Sequence, residues 1–224
     1  VFAGGVCAFN PEPLADFIDF FSLGEGEEIT EEIVALYDRA KAEGWSKDTY
    51  LREVAKIPGI YVPSFYTHSY NEDGTLAAIT PKNGAPAVVT KRIIEDLDKA
   101  YFPTKTIVPS TEIVHDRANL ELFRGCIRGC RFCQAGFIYR PFREKSKKTI
   151  VEQVKNLTES TGYDEGSLCS LSTSDYSDIE GLLCDITDYT DAKGVNLSLP
   201  SLRIDNFSDE VVKKIKSVRQ SGLT

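Results

Sequence analysis

A cluster of cysteines constrains this chain more than any other feature of its sequence. Cys126, Cys130 and Cys133 follow a C-x3-C-x2-C spacing. Three thiolates on one short loop can hold three irons of a cubic [4Fe–4S] cluster, and they leave the fourth iron without a protein ligand. An iron with an open position can bind a substrate or a cofactor as well as carry electrons. The spacing therefore predicts a loop built around a metal centre.

The residues beside the cysteines suit such a centre. Gly125 and Gly129 let the backbone wrap closely around a bulky group. Nearby arginines add positive charge, which favours thiolate over thiol. These arginines are Arg124, Arg128 and Arg131.

Two other kinds of metal site remain open as alternatives. Zinc sites usually combine two C-x2-C-like pairs, or a cysteine pair with a histidine pair. The residues left to complete a zinc site stand at no such spacing; they are Cys7, Cys169, Cys184, His68 and His115. A non-catalytic iron–sulfur electron carrier would favour a fourth cysteine close to the loop, and the sequence has none there. The spacing favours the cluster with an open iron over an electron carrier or a zinc-binding interaction module.

With Phe132 directly before its last cysteine, the motif resembles the signature of the radical S-adenosylmethionine (radical SAM) enzymes. The stretch FRGCIRGCRFCQAGFIYRPFREKS (residues 123–146) is similar to a subgroup with a cobalamin-binding-type domain ahead of the radical SAM barrel. The resemblance implies that Cys126, Cys130 and Cys133 ligate a [4Fe–4S] cluster and that S-adenosylmethionine chelates its fourth iron. It also implies an external one-electron reductant, which drives cleavage of that cofactor to methionine and a 5′-deoxyadenosyl radical.

The same resemblance implies a set of cofactor-binding residues. Phe132 would lie against the adenine, with ordinary core packing as the alternative. The family carries a Gly-Gly-Glu-like motif at the end of the second barrel strand, where this chain instead has Ser172 and Ser174 close together. These hydroxyls can still form hydrogen bonds to the cofactor. The alternative is a helix N-cap cluster, with Asp175 or Ser177 capping the next helix.

Two further candidates follow the third predicted barrel strand. Arg203 could meet the carboxylate of the cofactor, because a guanidinium matches a carboxylate in shape and charge. Asp205 could meet a ribose hydroxyl. A simple salt bridge between Arg203 and Asp205 is the alternative.

The predicted fold class is α/β. Residues 1–45 are interpreted as the C-terminal part of a Rossmann-like cobalamin-binding-type domain, and residues 46–110 as a connector with a short helix and a β-hairpin. Repeated β–α units in residues 111–224 indicate a parallel sheet. The resemblance makes this segment the first half of a partial β6α6 (TIM-like) barrel. The chain contains no methionine, and we expect an internal fragment that is inactive by itself.

Side-chain periodicity predicts the individual elements. Helices are expected where apolar residues recur at helical spacing, after Gly26, after the N-cap residues Ser46 and Ser146, from Ile179, and after Ser208. A further helical turn is predicted over Arg92–Leu97. The predicted strands are Val1–Ala3, Phe17–Leu23, Tyr61–Tyr70, Leu76–Thr80, Asn119–Phe123, Ser167–Ser172 and Val195–Ser201.

Composition sets limits on partners and location. The chain is 42% hydrophobic and 27% charged, with a net charge of −8. The overall charge argues against a chain built to bind nucleic acid or an anionic membrane. No apolar run is long enough for a membrane span, and no secretory segment is visible. Free cysteines together with an expected cluster predict the cytoplasm.

One local feature runs against the overall charge. Residues 124–148 contain eight basic residues and one acid, Glu144. A solvated helix start explains this basic segment more simply than contact with RNA. The pairing of domains suggests methyl or methylthio transfer, with RNA or a small molecule as the substrate.

Overall fold

A computed structural model describes residues 1–111 and 113–203 of the chain. The chain divides into two compact units, Val1–Ile94 and a second unit that begins at Glu95. Both units combine helices and strands, which confirms the predicted α/β class.

The N-terminal unit is built on a small mixed sheet. Strands β1 (Phe2–Ala3) and β2 (Phe20–Ser22) are parallel, and β3 (Ile60–Tyr61) pairs antiparallel with β2. Helices α1 (Gly26–Ala42) and α2 (Lys47–Val54) pack together beside the sheet. The side chains buried between these elements include Phe21, Ile29, Ile33, Val54 and Ile60.

Local signals in the sequence set the two helices of this unit. In α1, Ile29 and Ile33 are buried, as their spacing predicts. Gly44 follows the end of α1 with φ of 67°, a conformation that glycine adopts without strain. Ser46 caps α2, because its hydroxyl accepts a hydrogen bond from the Thr49 N–H at 3.1 Å. The predictions of helices α1 and α2 are confirmed.

The predicted hairpin is also present in this unit. Strands β4 (Tyr66–Tyr70) and β5 (Leu76–Pro81) pair antiparallel. The helical turn predicted over Arg92–Leu97 is wrong. Arg92 instead forms a β-bridge with Gly24, and its guanidinium binds Glu28 at 2.7 Å. The Glu28 carboxylate and the Gly24 backbone, both remote in sequence, hold Arg92 in an extended conformation despite the weak helical pattern.

The second unit is built on a three-stranded parallel sheet in the order β10–β9–β6. Its elements in chain order are β6 (Ala118–Glu121), β7 (Phe123–Arg124), α3 (Ala135–Ile138), β8 (Arg143–Glu144), α4 (Lys147–Thr161), β9 (Glu165–Cys169), α5 (Ile179–Lys193) and β10 (Asn196–Ser198).

The core of this unit lies between the sheet and helices α4 and α5. Leu120, Leu168 and Leu197 are buried on the sheet side, against Ile150 and Ile186 from the helices. Both helices end at a glycine in the left-handed conformation, as is usual at a helix C-terminus. The order β6, α4, β9, α5, β10 therefore gives two β–α–β units on one parallel sheet.

The strands of this unit are shorter than the predicted ones. The prediction of Ser167–Ser172 becomes β9, which begins at Glu165 and ends at Cys169, and Val195–Ser201 becomes β10. The predicted helix after Ser208 lies outside the described residues. Within the described part of the chain, no helix combines the length and the apolar character needed to cross a membrane.

Candidate metal centre and cofactor site

The cysteine loop is held closed by a short two-stranded ladder. It leaves β7 and returns through α3 to β8, which pairs antiparallel with β7. Gly125 begins the loop with φ of 88°. A Cβ atom at this position would lie 2.7 Å from the Pro141 carbonyl oxygen and 2.8 Å from Phe142 Cα. Only glycine therefore fits where the two ends of the loop approach each other.

The three thiols of the loop are free and half-buried. The backbone N–H of Arg128 donates to Cys126 Sγ at 3.4 Å. The backbone N–H of Cys133 donates to the Cys130 carbonyl oxygen at 3.1 Å, so the second and third cysteines share one turn. Backbone hydrogen bonds to sulfur are among the features that tune iron–sulfur clusters.

The structure places the three cysteines on one loop but does not gather them at one point. Within residues 1–111 and 113–203, no three side chains of histidine, cysteine, aspartate or glutamate form a group able to hold a metal ion. Metal binding is coupled to local folding, because ligands converge around the ion that they bind. The donor set fits a cluster: three thiols on one loop, beside a backbone N–H already directed at a sulfur.

An ion pair joins this loop to the segment that follows β9. The Arg128 guanidinium donates to both carboxylate oxygens of Asp175, with Nε to Oδ2 at 2.8 Å. The Asp175 side chain is only 2% exposed. Nothing in the sequence links the members of this pair, because they lie 47 residues apart. The sequence predicts Asp175 only as an alternative helix cap.

The helix cap lies elsewhere. Asp178 caps α5, since its Oδ1 accepts a hydrogen bond from the Gly181 N–H at 3.1 Å. The backbone N–H of Ser177 donates instead to Glu144 Oε1 at 2.8 Å. The expectation that Asp175 or Ser177 caps this helix is therefore wrong. The carboxylate of Asp175 is taken by Arg128.

The segment after β9 brings several predicted cofactor residues together. Ser172 is 3% exposed, and among the described residues its hydroxyl has no hydrogen-bond partner. Ser174 Oγ accepts a hydrogen bond from the backbone N–H of Arg203 at 3.2 Å. Thr173, between the two serines, donates to the Pro200 carbonyl oxygen at 2.6 Å. The ends of β9 and β10 are therefore tied together beside a buried hydroxyl. Asp205 lies outside the described residues.

Phe132 is the most exposed of the predicted site residues. Its side chain is 92% exposed, so it does not pack in the core of the unit. An exposed ring beside a cysteine is available to a planar ligand.

Internal partners take up much of the charge of the basic segment. Arg124 binds Glu121 at 3.0 Å, and Lys147 binds Asp178 at 2.7 Å. Lys145 is buried, with its Nζ donating to Gln153 Oε1 at 3.2 Å. Arg128 is committed to Asp175. These contacts support a structural role for half of the eight basic residues rather than a surface for nucleic acid.

A buried tyrosine supports the return from the loop. The Tyr176 hydroxyl donates to the Lys145 carbonyl oxygen at 2.9 Å. Burial raises the pKa of Tyr176 to about 12, and the carboxylates of Glu144, Asp98 and Asp178 raise it in the same direction. Tyr176 follows Asp175 directly, so one short segment contacts Arg128 within the loop and Lys145 just after β8.

Two family models match the chain. The model for the N-terminal part of radical SAM proteins matches residues 1–63. The model for the radical SAM superfamily matches residues 120–224, which include the whole cysteine loop and the strands that follow it. The chain belongs to the radical SAM superfamily.

Similar proteins come from bacteria and archaea. An uncharacterised protein of Methanocaldococcus jannaschii is 25% identical over 96% of this chain and 40% of its own length. Threonylcarbamoyladenosine tRNA methylthiotransferase of Bacillus subtilis is 26% identical over 59% of this chain and 28% of its own length. The chain thus spans less than half of the curated relatives that it matches.

One solved structure resembles nearly all of this chain. It is the radical SAM methyltransferase TsrM of Kitasatospora setae, described with cobalamin and a [4Fe–4S] cluster bound. It covers 98% of this chain with a TM-score of 0.52 and 17% identity, and the chain covers 40% of it. At this identity the likeness concerns the fold alone.

Proposed function

We propose that this chain is part of a radical SAM enzyme in which Cys126, Cys130 and Cys133 hold a [4Fe–4S] cluster. The observation that carries the proposal is the attachment of the cysteine loop to the segment just beyond the carboxyl end of β9 through Arg128 and Asp175. In α/β folds of this kind, ligands bind beyond the carboxyl ends of the strands. The metal loop and the predicted cofactor residues then share one edge of the sheet.

We further propose that S-adenosylmethionine binds at this edge. Ser172 would give its buried hydroxyl to the cofactor, which supplies the partner that the hydroxyl otherwise lacks. Phe132 would offer its exposed ring to the adenine, while Arg203 would meet the carboxylate and Asp205 a ribose hydroxyl. Ser174 already accepts from the backbone N–H of Arg203, which supports a role in positioning that residue.

The chemistry supplied by the bound cluster is one-electron reductive cleavage of S-adenosylmethionine, with the electron coming from an external reductant. The chain itself would orient the cofactor and limit side reactions, as proteins do for cofactors with demanding chemistry. The net reaction that we propose for the complete protein is methyl or methylthio transfer to RNA or to a small molecule. A tRNA methylthiotransferase among the similar proteins supports that class of reaction.

For the complete protein we propose a Rossmann-like cobalamin-binding-type domain followed by a partial β6α6 barrel. Two parallel strands in the N-terminal unit support the first part. Two β–α–β units on a parallel sheet support the second. Cobalamin would then be a further cofactor. Six free thiols in the structure agree with a reducing compartment such as the cytoplasm.

Anaerobic reconstitution with iron and sulfide tests the metal centre. We expect about four irons per chain and the absorption of a [4Fe–4S] cluster. Serine replacement of Cys126, Cys130 or Cys133 should lower the iron content sharply. Cys184→Ser in α5 is the matched control and should retain it. About two irons or fewer in the unaltered chain, or tightly held zinc, would overturn the proposal in favour of an electron carrier or a zinc module.

Activity is tested separately on the complete protein. Under reducing conditions it should cleave S-adenosylmethionine to methionine and 5′-deoxyadenosine, and the same protein with Cys130→Ser should not. If the complete protein holds the cluster but leaves S-adenosylmethionine intact, the proposed metal centre stands and the proposed cleavage reaction is wrong.

A further inference from the structure

The parallel sheet of the second unit has two chemically different faces. Side chains alternate between the faces along each strand. One face carries Ala118, Leu120, Leu168 and Leu197, which are buried in the core with α4 and α5. The opposite face carries polar side chains and one cysteine, and we call it the polar sheet face. Its members are Asn119, Glu121, Glu165, Ser167, Cys169, Asn196 and Ser198.

Strand register aligns part of this face into a row. Asn119 lies opposite Ser167, and Ser167 lies opposite Ser198 on the next strand. Neighbouring strands are about 4.8 Å apart, so the row is roughly 10 Å long. Cys169 joins it, since its thiol lies 3.7 Å from both Asn119 Oδ1 and Ser167 Oγ. Amides and hydroxyls can each donate and accept hydrogen bonds.

The two carboxylates of the polar sheet face already have cationic partners. Glu165 Oε1 accepts from Arg117 at 2.8 Å, and Glu121 accepts from Arg124 at 3.0 Å. A charged ligand would have to compete with these pairs. The remaining groups of the face are uncharged, and they match an uncharged ligand.

Asn196 gives an independent sign of a ligand. The residue is 7% exposed, and its Oδ1 atom is buried without a hydrogen-bond partner among the described residues. A buried acceptor without a partner costs stability, and few such groups occur in native proteins. The group needs a donor, and a bound molecule on the polar sheet face would supply one.

We infer that the polar sheet face binds an uncharged group with a neighbouring hydrogen-bond donor and acceptor, as a nucleobase edge or a carboxamide has. Asn196 accepts from the donor of this group, and the row of Asn119, Ser167 and Ser198 binds the rest of its edge. Asparagine amides pair with base edges in this way in other complexes. The inference rests on the proposed function, because the bound group would belong to the substrate of that reaction.

Ligand-observed NMR on this chain tests the inference without any turnover. The probes are adenosine, uridine and N-acetylglutamine amide, with ribose 5-phosphate as a charged comparison. We expect at least one nucleoside or the amide to bind, and ribose 5-phosphate to give no signal. The probe that binds tells a nucleobase from a carboxamide.

Asn196→Leu has a similar volume and no polar atoms. It should weaken binding of that probe about tenfold, as expected for one lost buried hydrogen bond. It should not lower the melting temperature, because it removes an acceptor that has no partner. The matched control is Asn156→Leu on α4. Because α4 covers the apolar face of the sheet, this variant should leave binding unchanged.

Ser198→Ala gives a second, milder variant on the same face, and it should weaken binding severalfold. Failure of every probe to bind the unaltered chain overturns the inference. Equal binding by the unaltered chain and Asn196→Leu also overturns it. The inference is likewise overturned if Asn196→Leu loses binding only because it unfolds while Ser198→Ala binds normally. These outcomes are independent of iron content and S-adenosylmethionine cleavage, so a failure here leaves the proposed function standing. Probe binding by a chain that assembles no cluster would overturn the proposed function alone.

Discussion

Arg128 in the cysteine loop and Asp175 beyond β9 form a bidentate ion pair that spans 47 residues of sequence. The Asp175 side chain is almost fully buried, whereas a third of the Arg128 side chain is exposed. The guanidinium fork fixes both the distance and the orientation between its two anchors. The loop that carries the metal ligands is thereby fixed to the segment that carries Ser172 and Ser174.

Arg128→Ala is expected to destabilise the second unit by about 3 kcal/mol, because it removes the guanidinium that pairs with the buried Asp175 carboxylate. The double variant Arg128→Ala with Asp175→Asn should recover part of this loss, since the buried negative charge is removed as well. Urea unfolding followed by circular dichroism measures both. Iron content after reconstitution should fall in the single variant.

Arg131→Ala is the matched control for this prediction. Arg131 belongs to the same loop and is exposed, so its removal should change stability by no more than about 0.5 kcal/mol. Equal stability of Arg128→Ala and Arg131→Ala would show that the ion pair does not hold the loop.

Gly125 and Gly129 of the loop should respond very differently to a methyl group. Gly125→Ala places a Cβ within 3 Å of three backbone atoms and requires a positive φ. A cost of about 3 kcal/mol is expected from strain and overpacking. Gly129→Ala adds a Cβ that meets no atom within 4 Å. It should leave the free energy of unfolding nearly unchanged, and comparable losses in both variants would contradict the geometric account.

The sequence predicted best those elements that are encoded by neighbouring residues. Helix α4 begins after Ser146, whose hydroxyl accepts from the Thr149 N–H at 3.3 Å, and it buries Ile150 and Val154 at helical spacing. The hairpin of β4 and β5 has the same local origin, in a turn around Gly74. Capping, periodicity and turn chemistry all act within a few residues, so a single sequence displays them.

Features that depend on distant partners were not predictable in the same way. The backbone of Arg92 pairs with Gly24 instead of forming a helical turn. Asp175 pairs with Arg128 instead of capping a helix. The buried acceptor of Asn196 becomes visible only when three strands are aligned. Spacing located the three cysteines, but it gave no information about which residues fix their loop.

Ser172→Ala should separate cofactor binding from folding. The Ser172 hydroxyl is buried without a partner in the described part of the chain, so its removal should leave stability unchanged or raise it by about 1 kcal/mol. If the hydroxyl binds S-adenosylmethionine, the affinity of the reconstituted protein for that cofactor should fall about tenfold. Calorimetric titration measures the affinity, and thermal unfolding measures the stability.

Thr173→Val provides the opposite pattern as a control. The Thr173 hydroxyl donates to the Pro200 carbonyl oxygen at 2.6 Å, so the variant should lose about 1–2 kcal/mol of stability. If Ser172→Ala unfolds as readily as Thr173→Val, the Ser172 hydroxyl stabilises the fold and is not reserved for the cofactor.

Tyr176 should make the second unit sensitive to alkaline pH. Its pKa is raised by burial from the usual 10 to about 12, so the folded protein keeps the phenolic proton where the unfolded chain has lost it. The stabilisation is complete below pH 10 and is lost as the pH rises toward 12.

Tyr176→Phe lacks this group, and at pH 8 it should be less stable by about 1 kcal/mol through the lost hydrogen bond to Lys145. Between pH 10 and 12 the unaltered chain should lose stability faster, and the gap between the two proteins should narrow. Urea unfolding across this pH range measures the gap, with Tyr101→Phe, at a residue 79% exposed, as the control for loss of a phenol. A gap that stays constant up to pH 12 would show that Tyr176 does not ionise differently in the folded and unfolded states.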